Sequence, residues 1–164
     1  MKRRGFTLVE MLIVLGIIAV LATLGMLAAG SALRQARDVK RKSSVAQLGR
    51  FLASGQCYMP DAGAGDYDIG EIIGEVKAKF PQYAQFMGSL PKDPKGGTDA
   101  VTKFRYVVAA DGQACALYAN LENANEPVTL TSISAPTPGS GTGVLEASSP
   151  GPNGTTKYFQ ASNK

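Results

Sequence analysis

The sequence predicts an α+β protein, one long N-terminal helix packed on a small antiparallel sheet. Three observations predict it. Residues 6–30 form an apolar run, longer than the roughly 20 residues that a membrane span requires. No proline occurs before Pro60, so a helix can continue well past that run. Residues 104–109 and 114–121 read as strands and flank Asp111-Gly112, a strong tight-turn pair.

The elements follow in order. The first helix should run from residue 6 to about 54, on the order of 75 Å at 1.5 Å per residue. Its membrane half is apolar all round, as a buried span should be, with Gly16, Gly25 and Gly30 as soft points. In the outer half, Arg34, Arg37 and Arg41 repeat at i, i+3 and i+7 and make one basic stripe. The favoured reading of that stripe is a solvated face snorkelling to lipid head groups. Pairing with acids of a neighbouring subunit, or contact with DNA, are the competing readings. Val45, Leu48, Phe51 and Leu52 form an apolar stripe of helical period on which a sheet can dock.

Residues 55–65 read as a loop. Ile69, Ile72, Ile73 and Val76 have helical spacing, so residues 69–80 should form a short helix ended by Pro81. Tyr83, Phe86 and Met87 suggest a further turn before Gly88 and Pro91, and residues 92–97 form a loop. In the hairpin, Phe104, Tyr106 and Val108 alternate with Arg105, Val107 and Ala109. Residues 127–133 could add a third strand with its proline at the permitted first position. From residue 135 the composition shifts to Pro, Gly, Ser and Thr. Such a tail is expected to be mostly flexible, since it buries too little to offset its ordering entropy. Val144-Leu145 and Tyr158-Phe159 are its docking points.

Composition removes whole classes of chemistry. There is no His, so His-based triads, imidazole zinc sites and His acid–base catalysis are excluded. No nucleophile–base constellation is visible, and neither an enzyme activity nor a cofactor is assigned. Asp61, Asp66 and Asp68 crowd one loop. Clustered oxygens suit calcium, but a solvated turn is the favoured reading and no metal is assigned. Asn153-Gly154-Thr155 matches a glycosylation acceptor, a pattern short enough to arise by chance.

Glu10 is the most informative residue. A carboxylate in hydrocarbon costs several kcal/mol, so an acid inside a span is a functional residue awaiting a partner. The string Arg4-Gly5-Phe6-Thr7-Leu8-Val9-Glu10 resembles the processing site of type IV prepilins and of type II secretion pseudopilins. Pro-Lys-Asp-Pro at 91–94, Phe-Arg-Tyr at 104–106, Asp-Gly-Gln at 111–113 and Leu-Glu-Asn at 121–123 also resemble the small sheet of minimal pilins and major pseudopilins. Pilin-like chains often carry a proline where this one has Leu27. Major pseudopilins bind calcium in a loop nearer the C-terminus. This chain has no matching acidic cluster there; Asp93 and Asp99 are the nearest substitutes.

The resemblance implies a concrete pathway. A prepilin peptidase would cut after Gly5 and methylate the amino group of Phe6. Glu10 would then neutralise the Phe6 ammonium of an adjacent subunit during assembly. An α-amino group, with a reference pKa of about 7.7–8.0, is largely cationic at neutral pH. Losing Lys2, Arg3 and Arg4 would take 17 basic side chains to 14 against 13 acidic ones, a mature sum of +1. No global basic field for nucleic acid would remain. By the positive-inside rule, Lys2, Arg3 and Arg4 conflict with Arg34, Arg37, Lys40, Arg41 and Lys42 across the span. The resemblance decides for an N-terminus inside the cell.

The expected organisation is a leader at 1–5, a transmembrane and filament-core helix at 6–30, a pilin-like globular domain at 31–134 and a flexible tail at 135–164. The expected function is structural. The subunit waits in the cytoplasmic membrane, is cleaved, and polymerises with its own copies into an extracellular helical filament. A platform protein and a cytoplasmic ATPase would drive assembly. A type II secretion pseudopilin and a competence pilin are alternatives with the same core. A secreted binding module released by a conventional signal peptidase is the rival from another class. It is disfavoured by the length of the span and by Glu10 within it. Outside the cytoplasm Cys57 and Cys115 are expected to bond, with two separately buried thiols as the alternative.

Overall fold

The computed structural model describes residues 6–52, 57–85 and 90–163. The leader, with Gly5, lies outside the described residues, as do Ser54, Gly55, Phe86, Met87 and Gly88. The chain divides into two compact units, Met1–Gln35 and Ala36–Lys164.

Helix α1, Leu8–Leu52, is a single α-helix of 45 residues. In the first unit its described side chains are exposed from Phe6 to Met26. That surface is almost wholly apolar: Leu12, Ile17, Val20 and Leu24 are each 55–60% exposed. Gly16, Gly25 and Gly30 do not interrupt the helix.

The second unit is α+β. It adds β1 (Gly65–Asp68), α2 (Ile69–Lys79), a 3-10 turn at Pro81–Tyr83, β2 (Arg105–Val108), β3 (Cys115–Asn120), β4 (Gly143–Glu146) and β5 (Lys157–Ser162). The sheet has the order β1-β2-β3-β5-β4, and each neighbouring pair is antiparallel. Val45 of α1, Ile69 and Ile72 of α2, and Phe104, Tyr106 and Leu117 are essentially fully buried in one core. Leu48 packs against that core from the next helical turn. A Cβ on Gly49 would stand 2.8 Å from the Cβ of Ala161, so the glycine permits a close approach of α1 to β5.

Local chemistry accounts for the punctuation. Asp68 caps α2 by accepting the Gly70 N–H at 2.9 Å, which satisfies one of the orphan donors of the first turn. The α2 stripe of Ile69, Ile72, Ile73 and Val76 is buried as its spacing requires. Between β2 and β3 the turn closes with Gly112 N–H on Ala109 O at 3.0 Å. Gly112 takes φ +67°, a conformation that costs glycine little.

Three expectations are corrected. Residues 127–133 are not a strand. The Thr129 and Leu130 N–H groups instead both donate to Val144 O, at 2.9 and 2.8 Å. Residues 65–68, read as loop, form the edge strand β1. The tail at 135–164, expected to be mostly flexible, supplies β4 and β5. Tail glycines meet the turns at positive φ, as at Gly139, Gly141 and Gly154. Sheet partners supply the burial, since Val144, Leu145 and Ala161 are buried and Gln160 is fully so.

Candidate assembly site

The first unit presents Glu10 in the opening turn of α1. Its Oε2 accepts from the Thr7 N–H and from the Thr7 hydroxyl, both at 2.8 Å. The Glu10 N–H donates back to Thr7 Oγ1 at 3.3 Å. This is a capping box, an N-terminal hydroxyl residue and an acid three positions on that satisfy each other's backbone. The reading of Glu10 as an acid with only an external cation to meet it is therefore corrected. The Thr7-x-x-Glu10 spacing carried that signal. Glu10 and Phe6 remain exposed, Phe6 at 82%. The carboxylate is oriented by the cap, and no cation pairs with it among the described residues. By length and composition α1 is apolar enough to cross a membrane.

The second unit holds charge of another kind. Arg41 is fully buried. Its Nε and Nη2 reach the Asp93 carboxylate at 2.6 and 2.9 Å, a bidentate pair. Nη1 donates to Asp38 Oδ1 at 2.7 Å, and Nη2 meets Glu122 Oε1 at 2.7 Å. Arg37 clamps Glu122 from the other side, at 2.7 and 2.6 Å. Asp38 also accepts the backbone N–H groups of Glu122 and Asn123, at 2.8–3.1 Å. Lys42 pairs with Glu126. The loops after residues 90 and 120 are thus both tied to one turn of α1.

The electrostatics follow from this geometry. The Arg37 hydrogen bonds, aided by Arg41 and opposed by burial, hold the Glu122 carboxyl down at about 2. Burial pushes the Asp93 carboxyl up, but Arg41 and the Lys95 N–H outweigh it and leave the group lowered. Burial would likewise lower Arg41, yet its bonds to Asp93, Asp38 and Glu122 raise it above the ordinary guanidinium value.

Two members of the predicted stripe, Arg37 and Arg41, therefore pair within the chain. This internal network replaces the solvated, lipid-facing stripe expected for them, and equally the pairing with a neighbour's acids and the contact with DNA. Asp38 and Glu122 were missed as its members. The available signal was Asp38, three residues before Arg41 on the helix. Glu122 and Asp93 lie too far along the chain for any periodicity to connect them.

The remaining candidates fall separately. Cys57 and Cys115 are bonded across a sequence separation of 58. Asp61 pairs with Lys79, Asp66 with Arg105, and Asp68 caps α2. The Asn153 amide donates to Asn120 O at 2.8 Å and to Asp93 at 3.3 Å, so it serves the fold.

Comparison with known proteins agrees with the N-terminal geometry. Residues 1–29 match the prokaryotic N-terminal methylation motif, which supports the type IV pilin and pseudopilin family for this chain. The motif points to a pilin-like or pseudopilin subunit, a structural protein processed by a prepilin peptidase. No curated protein and no solved structure matches the chain.

Proposed function

We propose that the chain is a structural subunit of a type IV pilus-like filament, cleaved after Gly5, methylated at Phe6 and polymerised through α1. The observation that carries this is an exposed apolar helix that opens, within the stretch matching the methylation motif, on a capped carboxylate with no cation paired to it among the described residues. Exposed apolar surface on that scale is satisfied only by lipid or by other helices. A buried carboxylate in either setting needs a cation. The Phe6 ammonium of a second copy supplies one, and the cut that creates it makes assembly depend on processing. Residues 6–30 would form the membrane span and filament core, residues 31–134 with the C-terminal strands the outer body, and residues 1–5 the removed leader. Before assembly the chain spans the cytoplasmic membrane with its N-terminus inside, and afterwards it lies in an extracellular filament. A platform protein and an ATPase would power the transfer.

The experiment is mass spectrometry of the N-terminus of protein recovered from filaments sheared off the cell surface. A chain beginning at N-methylated Phe6 is expected, and Gly5→Val should leave uncut precursor in the membrane. A mature terminus near Ser31 would overturn the reading in favour of a secreted module.

A further inference from the structure

The sheet carries an open cleft of about 410 Å³ on the face turned away from the core, lined by residues including Asp66, Lys103, Arg105, Tyr118, Pro152 and Tyr158. That volume is within the roughly 300–1,000 Å³ of small-molecule sites. Tyr118 and Tyr158 stand edge to face across β3 and β5, with ring centroids 6.1 Å apart at 61°. Beside them the Asp66 carboxylate accepts Arg105 Nε at 3.1 Å and the Tyr118 hydroxyl at 2.6 Å. Arg105 is itself anchored on Asp66 O at 2.9 Å.

Three features point to an occupant. Asp66 uses two acceptor positions of the roughly four a carboxylate offers, so two remain free on a group already held in place. Fixed polar groups beside an aromatic wall lose little freedom on binding. Next, the charged side chains cancel: Asp66 and Asp68 against Lys103 and Arg105. A neutral ligand therefore fits better than an ion. Finally, Lys103 holds φ +64°, the one non-glycine residue at positive φ among those described. Among the described residues its ammonium makes no hydrogen bond or ion pair. Backbone strain kept at a solvent-facing cleft is a pointer to function.

From this geometry we infer that the cleft binds a neutral pyranose saccharide. The apolar C–H face of the ring lies against Tyr158 and Tyr118. Its hydroxyls donate to Asp66 and accept from Arg105 and Lys103. The inference is independent of how the subunit assembles.

Saturation-transfer NMR on the full processed chain in detergent micelles tests it, with cellobiose, maltose, lactose and chitobiose as probes. At least one should receive saturation at millimolar concentration. Tyr158→Ala should weaken that binding by about tenfold, the scale of one lost aromatic contact. Lys103→Gly should weaken it too while keeping or raising the unfolding temperature, because glycine takes positive φ freely. The second variant keeps the test decisive if Tyr158→Ala misfolds. No transfer to any of the four sugars would overturn the inference, as would transfer unchanged in both variants.

Discussion

Glu10 and Glu122 are both acids of α1 or of a loop tied to it, and they are satisfied in opposite ways. The Glu122 side chain is 3% exposed and is gripped by two guanidiniums. Glu10 is exposed and among the described residues meets only the neutral donors of Thr7. The first unit leaves the Glu10 carboxylate without a counter-ion among the described residues and its apolar surface exposed, whereas the second matches the Glu122 charge within the chain. The difference teaches where to look for partners. A charge matched internally is structural, and a charge held ready without a counter-ion belongs to an interaction with something outside the chain.

The largest effect expected on the closed side comes from Arg41→Met. It strips the shared cation from three buried carboxylates, and breaking such a pair from one side costs roughly 3–5 kcal/mol. The unfolding midpoint in denaturant should fall accordingly. A drop below about 1 kcal/mol would mean that the network adds little and that Arg41 belongs with the solvated stripe.

Next in size is the bond between Cys57 and Cys115. It closes a loop set by a separation of 58 residues, worth about 4 kcal/mol in the chain-entropy model. Cys57→Ser with Cys115→Ser should destabilise the second unit by an amount approaching that. Non-reducing peptide mapping of wild-type protein from outside the cytoplasm should recover the linked peptides.

The smallest effect is that of pH. Glu122 titrates at about 2 in the folded chain against an ordinary value of 4.5. A depressed carboxyl contributes its stability above the unfolded value and loses it as pH falls through the folded one. Stability should therefore be flat above pH 4.5 for this group and decline between about 4.5 and 2. Glu122→Gln should flatten part of that decline.

These contrasts also mark what the sequence made legible. The span, α2 and the Asp111-Gly112 hairpin rest on local signals of period and turn chemistry, and the structure has them within a residue or two of their expected bounds. The tail defeated that reasoning. Its composition resembles disorder, but β5 is stabilised by pairing with β3 and β4, as at Leu117 with Ala161 and Leu145 with Tyr158. The network around Arg41 was hidden for the same reason. Asp93 lies 52 residues from Arg41 in the chain, so only the fold brings them together. At Glu10 the cost of the charge is legible in the sequence, and so is the Thr7-x-x-Glu10 spacing of the capping box, four residues long.

That capping box gives the most direct test of the central claim, that Glu10 acts through its charge on a second subunit. A capping box accepts glutamine as well as glutamate, so Glu10→Gln retains the intrachain role and removes the charge. The measurement is the yield of surface filaments from cells with Glu10→Gln as the sole copy, beside the amount of processed subunit in the membrane. The account predicts normal insertion, normal cleavage after Gly5 and few or no filaments. Losing one side of a charge pair in an apolar setting costs roughly 3–5 kcal/mol, more than 100-fold in an equilibrium. Filament yield equal to wild type would contradict it. It would show that the cap and the packing of apolar helices are enough to assemble the subunit.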